Sequence, residues 1–277
     1  MHTKSDLHRL WQLKSWLPIT AGMLLGWPPL AAQVGLGLSP MRMELRLAPG
    51  GSYSGVLRLD NEGDLVRVRT SVLDFRVDSE QNPQFEPGLT EEAAYSCRSW
   101  LTVNPMEAEL IVKGGIPVRY TLHVPANAQP RSYYCAAGFT SLPTASQVSG
   151  FGIRTAVRVV AAFYVIVGNP AVEGRLTEIA MEQVPGSKNL RAVVVLENSG
   201  KMFYRPTGTL AVLDPNGAVI EAYDITQLPV LPERKQRFLF PLKVSAGQPC
   251  TLRVRVDLGT GEIQEGTAVV QAASVRQ

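Results

Sequence analysis

Histidine, cysteine and charge are all scarce in this chain of 277 residues, and each scarcity closes a class of function. The three histidines are His2, His8 and His123. The first two fall in a stretch that reads as an export signal, so a zinc site or a nucleophilic triad would have to be built on His123 alone. No paired His, His/Glu or Cys-x-x-Cys spacing accompanies it, and its alternation with apolar neighbours fits a solvated strand residue. There is no Walker loop and no dinucleotide glycine fingerprint. Gly50-Gly51 and Gly114-Gly115 read as hairpin glycines, and Glu91-Glu92 as solvated surface in a polar loop. The expectation is a protein that is not an enzyme and needs no cofactor or metal.

Charged residues make up 18% of the chain, which argues against disorder and against a charged tail, while the 45% hydrophobic content is ordinary for a globular protein. Long apolar runs are also missing. Trp16 to Trp27 is apolar but short and broken by Pro and Gly, so it is a poor membrane span. Lys4, Arg9 and Lys14 precede it, and Pro28-Pro29-Leu30-Ala31-Ala32 follows. That order reads as a signal peptide over residues 1–32, with an uncleaved anchor as the other reading. Without Lys4, Arg9, Lys14 and Asp6, the 27 basic and 24 acidic residues become 24 and 23. A near-neutral mature chain with no basic run lacks the footprint of a nucleic-acid binder. The expected location is periplasmic or otherwise extracytoplasmic, with no membrane segment in the mature form.

What is present is period two. In Val118 to Val124, Val118, Tyr120, Leu122 and Val124 share one face, and Arg119, Thr121 and His123 take the other. Similar units recur, punctuated by 24 Gly and 20 Pro. Leu38–Leu47, Ser52–Leu59, Leu65–Val77, Ser96–Val103 and the runs on either side of Gly114-Gly115 read as strands, with residues 78–95 as a long loop. Arg131–Pro143 is an aromatic-rich strand. Ile153–Val167 is a long strand, apolar on both faces from Val159, as a strand central in a sheet or buried on both sides would be. Gly168-Asn169-Pro170 marks a boundary, and further strands run to Val270 around the Asp214-Pro-Asn-Gly217 turn. Two runs of about seven short strands predict an all-β chain of two tandem immunoglobulin-like sandwiches, over 36–168 and 171–272.

Cys97 and Cys135 fall in the first sandwich, and an exported protein permits a bridge. Spacing leaves open whether they pair or remain two buried thiols. Cys250 is left over in the second sandwich as a small strand-packed hydrophobe.

Over residues 36–170 the order of short motifs resembles the periplasmic pilus-chaperone superfamily (PapD-like), as a divergent member. Pro40-Met41-Arg42-Met43-Glu44-Leu45 stands where that family has its first strand. Ala48-Pro49-Gly50-Gly51 and Leu57-Arg58-Leu59-Asp60-Asn61 follow as its turn and second strand. Val103-Asn104-Pro105 to Leu110 with Lys113-Gly114-Gly115, then Arg131-Ser132-Tyr133-Tyr134 to Leu142-Pro143, match later segments. Ala162-Phe163-Tyr164 matches the end of the domain's last strand.

The resemblance implies binding of exported, pilin-like subunits by β-strand pairing at an exposed edge. It also implies a basic pair that anchors the subunit's terminal carboxylate. Arg42 matches the first anchor; the second falls on Ala161, and Arg158 could substitute only through a change of register. The inward donor positions fall on Gly152, Arg154 and Ala156, which fill a groove poorly. Candidate partner contacts are therefore Arg42, Arg154, Val157, Arg158 and Val159. The other reading is a structural or adhesive cell-surface module, for which Tyr133, Tyr134 and Tyr204 would form a shallow aromatic patch.

Overall fold

The structure, a computed structural model, describes residues 35–78, 82–142, 156–187, 189–245 and 247–270. The first part is built from β1 (Leu36–Ser39), β2 (Arg42–Leu47), β3 (Ser52–Asn61), β4 (Val66–Val77), β5 (Pro83–Glu86), β6 (Leu101–Asn104), β7 (Glu107–Leu110), β8 (Gly115–His123), β9 (Arg131–Leu142) and β10 (Arg158–Val167). One sheet has the order β1-β3-β8-β6, and the other β2-β10-β9-β4-β5 with β7 also on β4. The alternation in β8 is realised: Val118, Tyr120 and Leu122 are buried, with Val124 just beyond, while Arg119, Thr121 and His123 are exposed. Leu57, Leu59, Val68, Val103, Phe139 and Phe163 join them in the core between the sheets.

The expected single strand Leu38–Leu47 is two strands in different sheets. β1 pairs antiparallel with β3, and β2 pairs parallel with β10. Pro40 sits between them; it has no N–H to give a ladder, and the chain changes sheets there. The 78–95 loop also carries more order than expected, holding β5 and a 3-10 turn at Thr90–Tyr95. A second 3-10 turn, Arg98–Trp100, delays the next strand to Leu101. Of the expected strand Ile153–Val167, residues 153–155 lie outside the described residues and pairing begins at Arg158.

The second part holds β11 (Gly174–Gln183), β12 (Leu190–Asn198), β13 (Thr207–Leu213), β14 (Val219–Asp224), β15 (Lys235–Leu242), β16 (Cys250–Asp257) and β17 (Ile263–Val270). Its sheets have the orders β11-β12-β15 and β14-β13-β16-β17, closing on Val194, Leu196, Leu210, Phe238, Leu252 and Val254. The chain is thus all-β, in two tandem sandwiches. Cys250 lies in β16 as a buried free thiol.

Both sandwiches use one device to turn the chain after an inner strand. Asn61, fully buried, donates its side-chain N–H groups to the carbonyls of Asp64, Leu110 and Ile111 and accepts from Gly63 N–H. Asn198 donates to the carbonyls of Met202 and Val230 and accepts from Gly200 N–H. The strings Leu59-Asp-Asn-Glu-Gly63 and Leu196-Glu-Asn-Ser-Gly200 carry this geometry. A buried amide with several backbone partners is hard to replace, because its loss strands groups that water cannot reach.

Cys97 and Cys135 are joined by a disulfide with a Cα–Cα distance of 5.2 Å, which ties the segment before β6 to the middle of β9. The bridge spans 38 residues of chain. Chain-entropy arguments assign a loop of that length about 4 kcal/mol. Replacing both cysteines by serine is expected to lower urea-unfolding stability by roughly that amount. Asn198→Ala is expected to cost about 2 kcal/mol in the same assay, from three hydrogen bonds lost at a buried site.

Candidate functional site

Strand β10 is the element around which a site forms. Its odd residues Val159, Ala161, Phe163, Val165 and Val167 belong to the core of the first sandwich. Its even residues Val160, Ala162, Tyr164 and Ile166 face the other way, into a cluster with Phe75 and Tyr134 that Phe203 and Leu231 of the second sandwich complete. This is why the sequence is apolar on both faces of the strand.

The two edges of β10 are unequal. On one side β9 pairs with it along the whole length, from Arg158 opposite Thr140 to Val167 opposite Arg131. On the other side β2 begins only at Ala162, which lies opposite Arg42. The first bond there runs from Ala162 N–H to the carbonyl of Met41, at 2.9 Å. Ser141 N–H donates to the Val157 carbonyl at 2.9 Å, so the odd residues bond to β9. By the alternation of a strand, Val160 and Arg158 turn their N–H and C=O groups to the side that β2 covers further on. Among the described residues no strand pairs with them there.

The candidate contacts fall along this strand and at its meeting with β2. Val157 is half-buried, and its N–H donates to Ser141 Oγ at 2.9 Å. Val159 packs against the first core. Arg158 is exposed; its Nε donates to Thr140 Oγ1 at 3.0 Å. Arg154 lies outside the described residues. Arg42 is half-exposed and 3.6 Å from a Glu44 carboxylate oxygen. The register leaves Arg158 four residues from the position opposite Arg42, on the order of 13 Å of strand, so the two are not brought together. Ala161 is fully buried in the first core.

A second cation does come near Arg42, from the other sandwich. Arg205, between β12 and β13, donates from Nε to Glu44 Oε1 at 2.8 Å and from Nη1 to the Gln227 carbonyl at 2.8 Å. Its guanidinium lies 4.7 Å from the centre of the Tyr164 ring and 5.6 Å from that of Phe203, in cation–π range of both. Nη2 is buried without a hydrogen-bond partner. A cavity of about 550 Å³ opens beside it, lined by Glu44, Arg46, Ile166, Val172, Phe203 and Arg205 among others. Burial raises the Tyr164 phenol above its ordinary range, with Arg205 opposing.

A second polar contact joins the sandwiches further along. The Tyr95 hydroxyl and Lys201 Nζ both donate to the Glu233 carboxylate, and Lys201 Nζ lies 3.5 Å from the Tyr95 oxygen. Arg131 covers the Tyr95 ring at 5.3 Å. Ser132 N–H donates to the Lys201 carbonyl, and Phe203 N–H to Ser132 Oγ, each at 2.9 Å. Lys201, then the Tyr95 hydroxyl, hold the Glu233 carboxyl below the usual range. Burial, then Glu233, raise the Tyr95 phenol.

The expected aromatic patch is corrected. Tyr133, Tyr134 and Tyr204 are 6%, 1% and 3% exposed. Two of them send the phenol to a backbone carbonyl, Tyr133 to Gln129 and Tyr204 to Glu197, and Tyr134 packs beneath Tyr95 and Phe75. Sequence reasoning missed Glu44, Arg205, Tyr95 and Glu233. Their pairings span 161 and 138 residues, and a local pattern carries no sign of them.

No family model matches the sequence, and no curated protein matches it. Among solved structures the chain is similar to the class 5 fimbriae chaperone CfaA, with 10% identity, a TM-score of 0.43, and 85% of this chain and 98% of that one covered. It is similar to the Pseudomonas aeruginosa CupB2 chaperone, with 13% identity, a TM-score of 0.41 and coverage of 84% and 99%. A chain of the Salmonella enterica SafA pilin–SafB chaperone complex gives 14% identity, a TM-score of 0.42 and coverage of 87% and 98%.

The lowered carboxyl of Glu233 makes the Tyr95–Lys201 contact acid-sensitive. A depressed carboxyl contributes stability above its unfolded-state pKa, and that contribution is lost as pH falls through the folded-state value. Between about pH 6 and about pH 3, the wild type is expected to lose more thermal stability than Glu233→Gln. Parallel melting curves for the two proteins across that range would show Glu233 to be inert.

Proposed function

We propose that this protein is an extracytoplasmic chaperone-like protein that holds exported, pilin-like subunits by β-strand pairing along the open half of β10. The observation that carries the reading is the unequal pairing of that strand. β9 covers one edge completely, while β2 covers the other only from Ala162. An open stretch of strand edge is a template for an added strand, and main-chain bonds supply affinity with little demand on sequence.

The same geometry gives the added strand a direction. β2 runs parallel to β10 and begins where the open edge ends. A partner strand that continues the line of β2, parallel to β10, brings its C-terminus to Met41 and Arg42. Arg42 is exposed enough to meet a terminal carboxylate there. The motif order over residues 36–170 supports the same reading, as does the expected export signal. The fimbrial chaperones reported above fit it but are not its basis. The adhesive-module reading has lost its supporting feature, since Tyr133, Tyr134 and Tyr204 are interior.

Two substitutions test the proposal in a pull-down of the tagged mature protein from its native envelope fraction, with mass spectrometry of the captured chains. Val160→Pro removes an N–H on the open edge while sparing the odd-residue bonds to β9. It is expected to abolish capture of a small β-rich exported subunit while the thermal midpoint stays near that of the wild type. Arg42→Ala is expected to weaken capture about tenfold with little loss of stability. Undiminished capture by a folded Val160→Pro variant would exclude β10 as the pairing edge.

A further inference from the structure

Resting on that reading of the edge, we infer that Arg205 of the second sandwich is a receiving cation for the partner's terminal carboxylate, and that Glu44 occupies its place in the free protein as an internal stand-in. The argument begins with an incomplete hydrogen-bond count. The Arg205 guanidinium has three nitrogens to satisfy. Nη1 is satisfied by the Gln227 carbonyl and Nε by Glu44, but Nη2 is buried with no partner. Nε and Nη2 lie on the same side of the guanidinium and form one fork, the geometry that a carboxylate fills with both oxygens. Glu44, reaching across from β2, fills only half of it. A buried donor left unmade is costly, so the fork favours any carboxylate able to satisfy both prongs.

Three further observations fit a site prepared for an anion. The guanidinium plane rests against Tyr164 and Phe203, so it is held in place before a ligand arrives. Glu44 is shared: the Oε1 that accepts from Arg205 Nε also lies 3.6 Å from Arg42 Nε, which brings two cations to one carboxylate oxygen. Arg46 lines the same cavity of about 550 Å³, adding a third positive charge where, among the described residues, Glu44 is the one acidic lining residue. Glu44 itself is 38% exposed, so it can swing away without leaving an uncompensated buried charge. The site stands at the start of β2, where a parallel partner strand ends. An incoming carboxylate would release Glu44 to solvent and complete the fork, drawing a contact from the second sandwich onto a ligand held by the first. Capture would then select a free C-terminus over an internal loop of the same sequence.

The test uses an acetylated tripeptide with a free carboxylate and its carboxamide, both too short to pair along β10. They are titrated into the full mature protein while the Arg205 and Arg42 Nε–Hε resonances are followed by NMR. The acid is expected to shift the Arg205 resonance and the amide to leave it unmoved. Glu44→Gln removes the competitor and is expected to tighten the acid about tenfold. Arg205→Met is expected to erase the preference for acid over amide, and Arg205→Lys, which keeps the charge without the fork, to retain only part of it. Equal shifts with acid and amide, or unchanged or weaker binding in Glu44→Gln, would overturn the inference. The two claims fail separately. If a longer amidated strand binds at β10 while the short acid does not, the fork is not a site and the edge reading stands. If the short acid binds as expected and no strand pairs with β10, the edge reading falls and the fork remains.

Discussion

β10 belongs to two hydrophobic cores at once. Its odd side chains fill the first sandwich and its even side chains meet Phe203 and Leu231 of the second. Burial on both faces fixes the strand against rotation and slippage, since a shift of one residue would exchange the two sets of side chains. Everything proposed for the site follows from that rigidity. An edge that is to accept another strand must keep its N–H and C=O groups aligned without a neighbour to hold them. Here the faces do the holding, so one edge can be left open over part of its length.

The contacts between the sandwiches divide into an apolar centre and two polar pins. The centre packs Tyr164 edge-to-face against Phe75 and at a tilt against Phe203. One pin joins Glu44 to Arg205 near the start of β2, and the other joins Tyr95, Lys201 and Glu233. Exposed ion pairs contribute little by themselves. Arg205, with its side chain 14% exposed and stacked on an aromatic ring, is in a different class, because its charge must be answered where water is scarce. The Tyr95 pin is held in turn by its neighbours, through Ser96 Oγ on the buried carboxylate of Asp74 and through the disulfide two residues on.

The strand pattern was legible because side-chain alternation is a local property. β4 and β9 could be read almost to the residue, and the double burial of β10 showed in the loss of alternation after Val159. The sheet change at Pro40 was missed: Leu38–Leu47 reads through the proline as one strand, and which neighbour each half finds is a non-local fact. The tyrosines misled because a phenol looks polar in sequence. In the fold Tyr133 and Tyr204 send only the hydroxyl to a carbonyl and bury the ring. Arg205 was the largest omission. It stands in Phe203-Tyr204-Arg205-Pro206, two aromatics before an arginine, a composition that suggests a stacked cation but names no partner. Glu44, 161 residues away, is found only once both sandwiches are folded.

The parallel pairing of β2 with β10 also has a mechanical side. β2 lies near the start of the first sandwich and β10 at its end, so tension applied between the two ends pulls them in opposite directions along their shared axis. The six residue pairs from Ala162–Arg42 to Val167–Leu47 are then loaded together, in shear, and no single bond can be peeled from the end. A strand added in line with β2 would bond to β10 before Ala162 without being continuous with β2, so that tension would bypass it. The load on the sandwich and the hold on a partner would run through separate stretches of the same strand.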